Sequence, residues 1–183
     1  MFSDCFRHRQ KPLPTLPIVL SITLLLRVFL VMYALLRFGP AWFFSRGSEM
    51  GFLAFSLLHG EGLSSPFGVP TGPTAIVAPG YPLLVSSVFF VLGSYTWAAA
   101  LFLMLFHAGC NTVTVYLAYR LGRTFSDAHS AGVASMFWAC SLPLLWMPTI
   151  FWETSISCML TLTMMWIVSV SYTHLTLPTN REV

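Results

Sequence analysis

The sequence predicts an all-α, polytopic membrane protein with about four transmembrane helices, and with juxtamembrane helices in a long first outer loop. Three observations predict it. Of 183 residues, 56% are hydrophobic and only 8% are charged, where a soluble domain carries about 25% charged residues. Aromatics reach 15%, with 16 Phe and 6 Trp. The apolar residues come in runs of about 20, the length a helix needs to cross the hydrocarbon core of a bilayer. A small domain so poor in charge cannot cover its surface with polar groups. This excludes a soluble enzyme, a disordered chain and a disulfide scaffold. The net charge of +3 is carried by basic residues at segment ends and forms no patch, so no nucleic-acid partner is implied. The cysteines are Cys5, Cys110, Cys140 and Cys158. The last three lie in apolar runs without metal-binding spacing and read as packing residues.

Residues 1–15 form a basic N-terminus, and the membrane domain covers 16–170. Its spans are 16–38, interrupted by Arg27, then 97–119, then 128–147 with Pro143 near one end, then 153–170. Pro82–Leu92 is too short to cross. Charge bias favours four spans: a cytoplasmic N-terminus puts Arg7, Arg9, Lys11, Arg120 and Arg123 inside and leaves Arg37 and Arg46 outside. A fifth span at Pro82–Leu92 reverses that bias. The first helix is too long for a signal-peptide core and lacks a small-residue cleavage site, so it is read as retained. Residues 171–183, SYTHLTLPTNREV, lose hydrophobicity abruptly and look like translated sequencing-adapter sequence. They are set aside as a non-native tail, which makes the chain a fragment.

The segment 39–96 becomes one outer loop, and it holds most of the chemically capable groups. Ser48–Gly60 reads as a short interfacial helix with Ser48 as N-cap, Glu49 at the positive helix end and Gly60 as the stop. Gly60–Ala75 is dominated by Gly and Pro and is a loop of fixed turns. Ala78-Pro79-Gly80-Tyr81-Pro82 leads into the short apolar helix ending at Leu92. A connection this long and rigid is more often functional than a linker.

These pieces in this order (Glu49, Ala54, Gly60-Glu61-Gly62-Leu63-Ser64-Ser65-Pro66-Phe67, Thr71–Ala75 and Ala78-Pro79-Gly80-Tyr81-Pro82) resemble the N-terminal part of GT-C superfamily membrane glycosyltransferases. The likeness is nearest to bacterial relatives of protein O-mannosyltransferases and aminoarabinose transferases, and it runs from Leu16 to about Val170. It implies transfer of a sugar from a polyprenyl-phosphate donor to an acceptor on the outer face of the bacterial inner membrane. An acid of the first outer loop would serve as general base. Membrane lipid and the lipid-linked sugar are the implied partners; a divalent metal and protein partners are left open. Many members carry an Asp-Glu pair one turn earlier, where this chain has Arg46 and Gly47.

The resemblance makes Glu49 and Glu153 the catalytic candidates, two acids converging on one face from separate segments. Arg27 and Arg46 are candidates for the lipid phosphate. A charge in mid-span costs about 2.5–3.5 kcal/mol on insertion scales, so Arg27 should face the bundle interior. His59, Glu61 and Tyr81 are candidate substrate contacts, with a helix cap and an interfacial anchor as the plainer roles of His59 and Tyr81. His107 is expected to make a bundle contact through its ring, and Asp127 and His129 to open a helix. The alternatives are a transporter fragment and a non-catalytic membrane assembly subunit.

Overall fold

The computed structural model describes residues 16–176, with side chains to 171. The basic N-terminus with Cys5, and residues 177–183 of the tail, lie outside the described residues. Among those described, every regular element is helical: α1 (Leu16–Ser45), α2 (Ser48–Leu58), α3 (Gly80–Leu92), α4 (Trp97–Phe125), α5 (Ala128–Cys140), α6 (Leu142–Trp146), a 3-10 turn (Met147–Thr149) and α7 (Thr154–Thr176).

α1, α4 and α7 are each long and apolar enough to cross a membrane, and α5 with the segment 142–149 makes a fourth candidate bent by 56°. All-helical architecture with three or four candidate spans therefore stands. The bend corrects the straight third span expected at 128–147. α5 has 13 residues, about 20 Å at 1.5 Å rise per residue. Pro143 has no N–H and sits in the first turn of α6, so the helix is interrupted and restarts at a new angle through extended Ser141. α1 runs past the expected end at Phe38. Gly39 takes φ 79°, and Pro40 begins a second helical stretch to Ser45. Residues 171–176, set aside as tail, continue α7.

Caps account for the other boundaries. Thr96 Oγ1 accepts from Ala99 N–H at 3.2 Å and opens α4. Asp127 accepts from His129 and Ser130 N–H at 2.8 and 3.3 Å and opens α5, as its position predicts. At α2 the N-cap is Gly47 instead of Ser48, and no side chain caps it.

α4 is the central element. α1 packs antiparallel on one flank, and Val19 meets Val115 in a small cluster. α7 packs on the other flank and runs parallel to α4: Asn111 Nδ2 donates to Ser155 Oγ at 3.2 Å, and the Arg120 guanidinium lies 5.0 Å from the Trp166 ring centre. The main core gathers Phe43, Phe44, Tyr81, Phe89 and Phe151 around the Trp97 half of α4, with α2 and α3 packed over it.

Candidate functional site

The site is assembled at a corner. After α1 the chain turns through Gly47, whose φ is 150°. A Cβ there would stand 1.8 Å from the Phe151 carbonyl oxygen, so only glycine fits. One turn on, a Cβ at Gly51 would stand 3.0 Å from the Tyr95 ring and 3.2 Å from the Phe151 ring. The first turn of α2 is thus seated directly on the segment Phe151–Trp152. Glu49 lies in that turn, half-buried, and Glu153 follows two residues after Phe151, also half-buried. The structure brings the two predicted acids onto chain segments that touch. Glu153 Oε2 is buried and has no hydrogen-bond partner, which leaves a strong acceptor free on the inner side of the corner.

Tyr81 points inward. It is 6% exposed, so the interfacial-anchor role expected as its plainer reading is not the one it takes. Its hydroxyl is joined to His107 Nε2 at 3.0 Å, and its ring stands 6.0 Å from that of Phe151. Burial pushes the Tyr81 phenol well above its ordinary value, and the Glu153 carboxylate adds to this. A buried polar group is therefore built behind the corner by α3, α4 and the residues leading into α7. The expected ring contact of His107 exists; that its partner is Tyr81 could not be read from the sequence. His107 Nδ1 makes no hydrogen bond of good geometry, with the Pro148 carbonyl as a polar neighbour.

The α4–α7 register sets the depth of this group. Ser155 is level with Asn111, fourteen residues into α4, or about 20 Å from the Trp97 end at 1.5 Å per residue. Glu153 immediately precedes α7, at the end of that helix as expected, and this end of α7 lies beside the middle of α4.

The basic candidates separate. Arg27 is fully buried. Its Nη1 donates to Thr23 O at 3.3 Å, while Nε and Nη2 have no partner. Cys140, at the break between α5 and α6, is its electrostatic neighbour. Arg46 is exposed, with its guanidinium 4.6 Å from the Trp42 ring centre, a cation–π contact at the corner. Among the described residues no ion pair joins either arginine to Glu49 or Glu153.

His59 caps α2: its Nδ1 donates to Phe55 O at 2.8 Å and its ring lies over Phe55 at 4.1 Å. Glu61 is exposed and lies in a separate pocket beneath the Gly/Pro loop. Among the described residues no group of three or more His, Cys, Asp or Glu side chains could hold a metal ion. Comparison with protein families, with characterised proteins and with solved structures finds no match for the chain.

Proposed function

We propose that the chain is part of a GT-C type glycosyltransferase of the bacterial inner membrane, N-terminus cytoplasmic, moving a sugar from a polyprenyl-phosphate donor to an acceptor at the outer face. The observation that carries this reading is the seating of Gly47 on Phe151, which joins the segments of Glu49 and Glu153. One acid takes the proton of the acceptor hydroxyl as its oxygen attacks the anomeric carbon. The bond from that carbon to the phosphate oxygen breaks, and polyprenyl phosphate leaves with the electron pair. Glu153 suits the base, since one of its oxygens is buried and unpaired. Glu49, at the N-terminus of α2, suits acceptor positioning. Arg46 at the corner and Arg27 deeper in the bundle are the cations available to the leaving phosphate. The test replaces each acid by its amide, Glu49→Gln and Glu153→Gln, in the full-length gene product and follows glycan transfer to the acceptor. Both variants should lose transfer by about 10²-fold or more; wild-type transfer by both would end the reading.

One observation favours a transporter as the second reading. The 56° break between α5 and α6 lies beside a buried arginine with two unpartnered guanidinium nitrogens, and transporters place charged groups on broken helices near mid-membrane. Solute uptake into proteoliposomes that is abolished by Arg27→Gln, with transfer intact, would select it.

A further inference from the structure

A pocket of about 420 Å³ lies beside the Gly47–Phe151 corner, under the Gly/Pro loop, with Tyr95 shared between them. Phe52, Phe55 and Tyr95 form its aromatic walls, and Ser56, Ser65 and the Glu61 carboxylate are among its polar groups. Three features show that it is built to hold a shape. The loop is pinned across its base, with Ser65 N–H donating to Gly72 O at 3.2 Å and Thr74 N–H to Leu63 O at 2.9 Å. Gly68, at φ 72°, lies so close to Phe52 that a Cβ would come within 2.9 Å of the ring. Among the described residues, the non-glycine residues at positive φ are Ser65 (55°) and Tyr95 (59°), and both line this pocket. Backbone held in that region persists where the surrounding structure over-determines it, and such residues gather at ligand sites.

The chemistry of the walls selects the ligand. Aromatic faces carry negative quadrupole potential and attract cations. Glu61 is tied to α2 by its backbone N–H, which donates to Ser56 O at 3.0 Å, and its carboxylate, which adds a formal negative charge, makes no hydrogen bond or ion pair among the described residues. No basic side chain lines the pocket. His59, a nearby titratable group, is held by its hydrogen bond to the Phe55 carbonyl and by packing on the Phe55 ring. We propose that this pocket binds an organic ammonium group, with the aromatic rings around its alkyl substituents and Glu61 as its counter-ion. The proposal is independent of the transferase reading.

The test uses the full chain in detergent and in nanodiscs, with tetramethylammonium and ethanolamine as probes followed by NMR or calorimetry. Saturable binding is expected, weakened about fivefold or more by Glu61→Gln and by Phe55→Leu. Choline, as a third probe, should bind at least fivefold more tightly than its uncharged isostere 3,3-dimethylbutan-1-ol. Phosphatidylethanolamine retained from mixed vesicles with phosphatidylglycerol, and displaced by tetramethylammonium, identifies a lipid headgroup as the source. Equal probe binding in vesicles with and without that lipid identifies a soluble amine. The proposal is overturned by absent saturable binding, by an isostere that binds equally, or by unchanged affinity in Glu61→Gln when its melting curve matches wild type.

Discussion

α4 and α7 have nearly the same mean hydropathy over their most apolar windows, 1.6 and 1.5, yet 56% of that window is buried in α4 and 6% in α7. Both would be scored as ordinary spans. One is the axis of the bundle; the other touches the bundle along a single flank. In a bilayer the lipid is as apolar as a leucine side chain, so hydropathy reports only that a helix can enter the membrane. Small and polar residues report which helix sits among others. α4 carries them on its inner surface: Ala99, Ala100, His107, Ala108, Asn111 and Thr114 are all buried. α7 presents Leu160, Met164, Met165, Ile167 and Val168 outward.

This contrast can be broken at its seam. α7 lies along α4 from Asn111–Ser155 to Arg120–Trp166, and the segment leading into it is fixed where Phe151 meets Gly47. Gly47→Ala puts a methyl group into the Phe151 carbonyl at a backbone angle few L residues adopt. It should cost about 3 kcal/mol or more, read as a fall in melting temperature in detergent. Gly109→Ala on α4 meets open space and should be neutral or stabilising by up to about 1 kcal/mol. If both glycines tolerate alanine equally, the corner is not a fixed seat.

The same residue type sharpens the comparison directly. Leu103 on α4 is fully buried and Leu160 on α7 is 53% exposed. Leu103→Ala should destabilise by about 2–4 kcal/mol through the cavity it leaves, and Leu160→Ala by less than about 0.5 kcal/mol. Unfolding in mixed micelles measures both. Equal losses would mean that other protein covers α7 in the sample.

A smaller effect attends the polar tie between the two helices. Asn111→Ala removes the bond to Ser155 and should cost about 0.6 kcal/mol, the average for hydrogen bonds inside membrane bundles, and no more than about 1.7 kcal/mol. The effect disappears if Ser155→Ala is already present. The smallest effect is at the Asp127 cap between α4 and α5. The Ser130 hydroxyl, then the His129 and Ser130 N–H groups, hold this carboxyl below its ordinary value. A depressed carboxylate contributes its stability above the unfolded-state value and loses it as pH falls through the folded one. Amide exchange at the start of α5 should therefore accelerate below the ordinary carboxylate range, and Asp127→Asn should remove that pH dependence.

Much of this architecture was legible in the sequence because it follows from chain-local physics. The first, second and fourth spans follow from apolar runs, the short α3 from its length, and the Asp127 start from capping chemistry. Pro143 was visible, but the 56° bend depends on how α6 and the 3-10 turn pack against α1 and α4. For the site, two acids on separate segments could be anticipated, whereas their means of approach could not. In the sequence Gly47 stands as a gap in an acidic motif; in the structure it is the position at which the chain packs against the Phe151 carbonyl. The inward turn of Tyr81 and the depth of Glu153 are set by contacts across 26 and 44 residues, Tyr81–His107 and Asn111–Ser155. No local pattern in the sequence encodes such pairings.

The Gly47–Phe151 seat also dictates an order of assembly. It closes a loop of roughly a hundred residues, an entropic cost that only late packing can offset. α1 to α4 can enter the bilayer and pair as each emerges from the ribosome. The segments that carry Glu49 and Glu153 cannot touch until Phe151 has been made and has returned to the corner left open since Gly47. A nascent chain halted before that point holds Gly47 without the backbone it packs against, so this corner is completed in one step, once Phe151 has returned to it.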